Sequence, residues 1–121
     1  MKVLETGDVI WVFDRTTDPP KPKMMVCLSS EDGWFLRVNS SGRFRPAVPI
    51  DKGRNPWLDH DSHVECNLLL LDDFEVQDSL QNPRNPVGQL HHDHFAAIVK
   101  EIMGLRFVTL ADKQRIAALM R

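Results

Sequence analysis

The chain has 121 residues, 42% apolar and 26% charged, which is enough for one globular core and too short for two large ones. Fifteen Lys and Arg against seventeen Asp and Glu leave a formal net charge of −2, which argues against a protein that coats nucleic acid by bulk charge and leaves room for a local basic patch. No apolar run approaches the roughly 20 residues of a membrane span, and the opening MKVLETGD has no apolar signal region after Lys2; the expectation is a single cytoplasmic domain over residues 1–121, with no membrane association.

The first half reads as strands. Gly7-Asp8 leads into Val9–Phe13, β-branched and aromatic residues suited to burial on both faces. Asp14–Pro22 reads as a loop, because Pro19, Pro20 and Pro22 cannot donate to a ladder. Met24–Leu28 is a second strand and Trp34–Val38 its return, joined by the turn residues Glu31-Asp32-Gly33. Asn39–Gly42 is a loop, Pro46–Ile50 a shorter strand and Lys52–Pro56 another loop. His63–Cys66 and Leu68–Leu71 admit two readings: one strand broken at Asn67, or a strand followed by a turn of helix.

Gln77–Gly88, with Asn82, Pro83, Asn85 and Pro86, reads as a connector. The period then changes. Phe95, Ile98, Val99, Ile102 and Met103 form one apolar stripe, predicting a helix near 90–103 that stops at Gly104. A last helix is predicted within 109–120, from about Leu110 to Leu119, with Thr109 as its cap and Asp112 three residues on. Short strands followed by helices mean α+β, and tight turns favour a small antiparallel barrel with C-terminal helices over a parallel sheet.

Cys27 and Cys66 form no C-x-x-C pair and sit among apolar neighbours, so they read as buried thiols. The histidines fall in two clusters, His60 with His63 and His91-His92-Asp93-His94. These residue types bind metals, but adjacent histidines diverge by about 100° on a helix; no metal centre and no cofactor are expected. Residues 1–57 hold nine basic and seven acidic residues, and residues 58–121 hold six and ten, so an anionic ligand should prefer the first half. There, Lys21-Pro22-Lys23 and Arg37…Arg43-Phe44-Arg45 flank predicted strands, with Asn39, Ser40 and Ser41 between them to bond phosphate oxygens. Trp34, Phe44 and Trp57 are candidates for stacking on bases, as in a groove for single-stranded nucleic acid.

The run Gly7-Asp8-Val9-Ile10-Trp11-Val12, the basic residue opening Lys23-Met24-Met25-Val26-Cys27-Leu28-Ser29, the strand end Val38-Asn39-Ser40-Ser41 and the Gly88-Gln89-Leu90 before a helix together resemble the PemK/MazF toxin family over residues 7–104. The resemblance implies a barrel of the Src-homology-3 type with a packed C-terminal helix, a homodimer, and metal-independent, sequence-selective cleavage of RNA that a partner antitoxin inhibits. It further implies that Lys23 and Ser41, with Ser40 beside it, act on the phosphate; the basic segments above make Lys21, Arg37, Asn39, Arg43 and Arg45 the candidates to hold the RNA. Two departures stand out: Lys23 replaces the family's Arg, losing the bidentate fork, and Asp18-Pro19-Pro20-Lys21-Pro22 replaces its Glu-Gln-x-Gly stretch. His60 and His63 are candidates to supply acid–base groups in their place. The alternatives to an endoribonuclease are a non-catalytic barrel binding single-stranded RNA or a protein partner, and a barrel that only dimerises.

Overall fold

A computed structural model describes residues 3–121; Met1 and Lys2, on which part of the signal-region reading falls, lie outside the described residues. The chain runs β1 (Asp8–Asp14), β2 (Lys21–Ser29), β3 (Trp34–Asn39), β4 (Ala47–Ile50), β5 (Ser62–Leu70), α1 (Asp73–Leu80), β6 (Gly88–Gln89), a 3₁₀ turn (His92–His94), α2 (Phe95–Met103) and α3 (Leu110–Leu119). The strands form one antiparallel sheet in the order β4-β5-β3-β2-β1-β6, which curls into a half-open barrel. The fold is α+β, a small antiparallel barrel with C-terminal helices, as the pattern of short strands followed by helices predicts. Among the described residues no helix is long and apolar enough to cross a membrane.

Both faces of the sheet are covered, which is why the central strands are nearly continuous in apolar residues. Successive side chains alternate between faces. Val9, Val26, Leu28, Leu36 and Val64 point to one side, where Ile98 and Ile102 of α2 and Ile116 and Met120 of α3 close the larger core. Ile10, Val12, Met25, Cys27 and Phe35 point to the other, where Val76 of α1 and Leu4 close a smaller one. Cys27 and Cys66 fall into different cores as free thiols, and burial pushes both up to about 12, so they act as small hydrophobes.

The hairpin turns where Glu31-Asp32-Gly33 marks it. Gly33 has φ +73°, and a Cβ there would stand 2.4 Å from the Leu71 carbonyl oxygen. The Leu71 amide donates to the Gly33 carbonyl at 2.8 Å, so the two segments cannot separate cheaply. Gly33→Ala is expected to lower stability by about 2 kcal/mol, read as a drop in the urea midpoint at unchanged slope.

Four boundaries differ from the sequence reading. β2 begins at Lys21, so Pro22 is inside a strand; it sits opposite Phe13, beyond the last residue that pairs with β3. β5 runs unbroken through Asn67, whose exposed side chain turns outward to donate to the Arg45 carbonyl at 3.1 Å. Gln77–Leu80 is not connector but the end of α1. That helix is held by a reciprocal cap, with the Asp72 carboxylate accepting from the Glu75 amide at 2.8 Å and the Glu75 carboxylate accepting from the Asp72 amide at 3.3 Å. Only Val76 and Ser79 are buried along it, so it shows almost no apolar period. Finally, no helix begins at 90: Leu90 lies outside any helix, His91 is extended, and α2 starts at Phe95 after the 3₁₀ turn. α3 and its Thr109 cap match the expectation, although Asp112 supplies only its amide.

Candidate functional site

The smaller core covers only one end of its face. Towards the other end the same alternation puts polar side chains in the same plane. Asp14 follows Ile10 and Val12 along β1, Lys23 precedes Met25 on β2, Arg37 and Asn39 follow Phe35 on β3, and Glu65 stands on β5. Cross-strand register brings Met25 opposite Arg37 and Arg37 opposite Glu65. Among the described residues no helical side chain lines this end, and it opens as a cleft of about 510 Å³. Its rims are Thr16, Thr17 and Asp18 of the β1–β2 loop and Ser40, Ser41, Arg43 and Phe44 of the β3–β4 loop.

Seven of the eight side chains named from the sequence line this cleft: Lys21, Lys23, Arg37, Asn39, Ser40, Ser41 and Arg43. Arg45 does not; it is exposed, and its carbonyl is taken by Asn67. Trp34 is buried in the larger core and Trp57 lies beside Trp11 and Met24 in another pocket, its indole N–H on the Gln89 carbonyl at 2.9 Å. Of the three predicted stacking residues only Phe44 faces the cleft, half exposed, with the Arg43 guanidinium 4.9 Å from its ring centre. His60 is exposed outside the cleft and bonds to the Asp61 carbonyl at 2.9 Å. His63 is opposite Asn39 in register but is not among the lining residues; its Nδ1 is buried without a hydrogen-bond partner.

Two hydrogen-bonded sets order the cleft floor. In the first, Lys23 Nζ donates to Asn39 Oδ1 at 2.7 Å, and Asn39 Nδ2 donates to Glu65 Oε2 at 3.0 Å. Asn39 is buried, so the amide fixes both charged groups. Lys23 spends one of its three N–H bonds there. Burial, with the positive charges of Lys21 and Arg37, holds its ammonium below the usual lysine range against the pull of Asp14 and Glu65. In the second set, Arg37 Nε donates to Asp14 Oδ2 at 2.6 Å and Arg37 Nη2 donates to Thr16 Oγ1 at 2.7 Å. Thr16 in turn donates its hydroxyl to Asp14 Oδ1 at 2.6 Å. Burial alone would raise the Asp14 carboxyl, but hydrogen bonds from Arg37 and Thr16 outweigh it and hold the group below its ordinary value.

Four lining side chains are cationic and two, Asp18 and Glu65, are anionic. The arrangement suits a phosphate chain: an ammonium on the floor, hydroxyls and a guanidinium on the rim, and one aromatic ring. Asp14, Thr16, Thr17, Asp18 and Glu65 were not anticipated. Asp14 and Glu65 were findable only by knowing that β1, β3 and β5 share this face.

A second polar cluster lies away from the cleft. His91 caps the 3₁₀ turn in extended conformation, φ −62° and ψ 132°, instead of entering a helix. The rings of His91 and His92 therefore stack, 4.7 Å apart, where a helix would have spread them. Their donor atoms and those of Asp93 all lie within 4.8 Å of one another. The expected divergence of these two histidines does not occur.

The chain matches no family model, no curated protein and no solved structure.

Proposed function

We propose that the cleft binds single-stranded RNA and cleaves it as a toxin-type endoribonuclease resembling the PemK/MazF family. The observation that carries this reading is the convergence of Lys23, Asn39, Ser40, Ser41 and Arg43, from two strands and a loop, on one open basic cleft. In the reaction a ribose 2′-oxygen attacks the adjacent phosphorus and the bond to the 5′-oxygen breaks. A 2′,3′-cyclic phosphate and a 5′-hydroxyl result. Glu65, the carboxylate on the floor, takes the 2′-hydroxyl proton, and Lys23 returns one to the departing 5′-oxygen. Lys23 also faces the charge that grows on the phosphoryl oxygens, with the Ser40 and Ser41 hydroxyls beside it. Lys21 and Arg43 hold flanking phosphates, and Phe44 offers its face to a base once Arg43 swings onto phosphate. A homodimer, an antitoxin that occupies the cleft and a cytoplasmic location belong to the same reading.

The test is incubation of the purified protein with single-stranded RNAs of varied sequence in EDTA. Cleavage is expected, with 2′,3′-cyclic phosphate ends. RNA that stays intact while binding in a salt-dependent way would leave the second reading, a non-catalytic module. That alternative draws on one observation: Arg37, the only guanidinium on the floor, is already committed to Asp14 and Thr16. Failure to bind RNA at all would overturn both.

A further inference from the structure

The second polar cluster has the makings of a metal site. Its backbone is anchored from below by Asn55, which is fully buried. Asn55 Oδ1 accepts the His91 amide at 2.9 Å, and its Nδ2 lies 2.9 Å from both the Asp51 carbonyl and His94 Nε2. His94, held this way, packs edge-on against the His91 ring at 6.3 Å and supports its orientation. Above this base the Asp93 carboxylate reaches both imidazoles, Oδ1 lying 3.3 Å from His92 Nε2 and Oδ2 lying 3.6 Å from His91 Nδ1.

Those separations have a chemical meaning. Zinc bonds to nitrogen and oxygen of about 2.0–2.1 Å in a tetrahedron place neighbouring ligand atoms about 3.3–3.4 Å apart. The 3.3 Å between Asp93 Oδ1 and His92 Nε2 is one such edge; the 3.6 Å from His91 Nδ1 runs to the other carboxylate oxygen, so a small turn of the carboxylate presents one oxygen to both rings. The third edge, between the two imidazoles, closes by rotation of His92, whose side chain is 80% exposed and free to turn. We propose that His91, His92 and Asp93 bind one divalent transition metal ion, with water completing the shell. Two imidazoles and one carboxylate favour Zn²⁺, Ni²⁺ or Cu²⁺ over Mg²⁺ and Ca²⁺, which want oxygen. Two present contacts give way. Arg54 Nη1, 3.7 Å from Asp93 Oδ2, withdraws towards Asp51, which its Nε already faces at 3.8 Å. The Asp93 amide, which donates to His91 Nδ1 at 3.1 Å, loses that acceptor when the lone pair goes to the metal.

That lost bond supplies a reporter. The full chain is titrated with ZnCl₂, and separately with MgCl₂, by calorimetry and by amide NMR near pH 7.5. One equivalent of Zn²⁺ is expected to bind with micromolar affinity, the Asp93 amide resonance should shift, and Mg²⁺ should do neither. His92→Ala should weaken Zn²⁺ binding at least about tenfold with the fold intact, since that side chain is mostly exposed. Absence of saturable Zn²⁺ binding below about 1 mM would overturn the site. So would binding that persists unchanged in His92→Ala with a silent Asp93 amide, which would place the metal elsewhere on the chain.

Discussion

Replacing Lys23 by alanine is expected to cut RNA cleavage by about 10²–10⁴-fold while weakening RNA binding far less. The asymmetry follows from where Lys23 sits. In the proposed mechanism Lys21 and Arg43 hold the flanking phosphates, and those contacts would survive the change. Lys23 is on the floor, with its ammonium fixed by Asn39 beside Glu65, whereas the Arg37 guanidinium there is committed to Asp14 and Thr16. In that mechanism its charge would face the phosphate as that group becomes more anionic, and its proton would go to the departing oxygen. Both contributions belong to the transition state, so kcat should fall and KM should change little. Single-turnover cleavage with saturating protein separates the two, and a filter-binding measurement at matched salt gives the affinity. Equal losses in binding and cleavage would mean that Lys23 only attracts RNA. Asn39→Ala serves as a companion: it leaves both charges in place but frees them from each other. It should lower cleavage through misplacement, with affinity almost unchanged.

The parts of this site that were readable in advance, and the parts that were not, separate along a physical line. Lys21, Lys23, Arg37 and Asn39 stand out because polar residues at the ends of apolar strands break a local pattern that sequence displays directly. Ser40, Ser41 and Arg43 follow them in the next loop. Glu65 does not stand out, because its place opposite Arg37 depends on β3 pairing with β5 across the intervening β4 and two loops. Alternation along His63-Val64-Glu65-Cys66 says that Glu65 lies opposite in face to Val64, but not which strand will lie beside it. α1 escapes notice for a related reason. Its capping box is local, but its inner face is two residues wide, so periodicity is silent. The stacked His91 and His92 rings are the opposite case. Their residues are conspicuous, but their geometry is set by Asn55, thirty-six positions earlier, whose amide holds the chain extended where a helix would have begun.

Asp14→Asn is expected to lower stability by about 2–4 kcal/mol and, at the same time, to tighten RNA binding. The carboxylate is almost wholly buried, with 3% of its side chain exposed, and Arg37 retains 19%. Removing the negative charge leaves a largely desolvated guanidinium with only Thr16 and a neutral amide for company. The pH dependence has a definite sign. Hydrogen bonds from Arg37 and Thr16 hold the Asp14 carboxyl below its ordinary value of 3.8 in spite of burial. The folded state therefore binds that proton less readily than the unfolded chain does. The stabilisation is fully present above the unfolded value and is lost as pH falls through the lowered folded value. In urea titrations the wild type should lose stability steeply below about pH 4, whereas the variant starts lower and falls less. The gain in binding has the same origin. Asp14 at present neutralises Arg37 on the cleft floor and engages its Nε; without it the fork is free to grip phosphate in the bidentate manner that Lys23 cannot supply. A salt-dependence slope steeper by about one would show the recruited contact. If the variant loses stability but binds RNA no better, Arg37 is a structural cation that supports the β1–β2 loop, and the phosphate rests on Lys21, Lys23 and Arg43 alone.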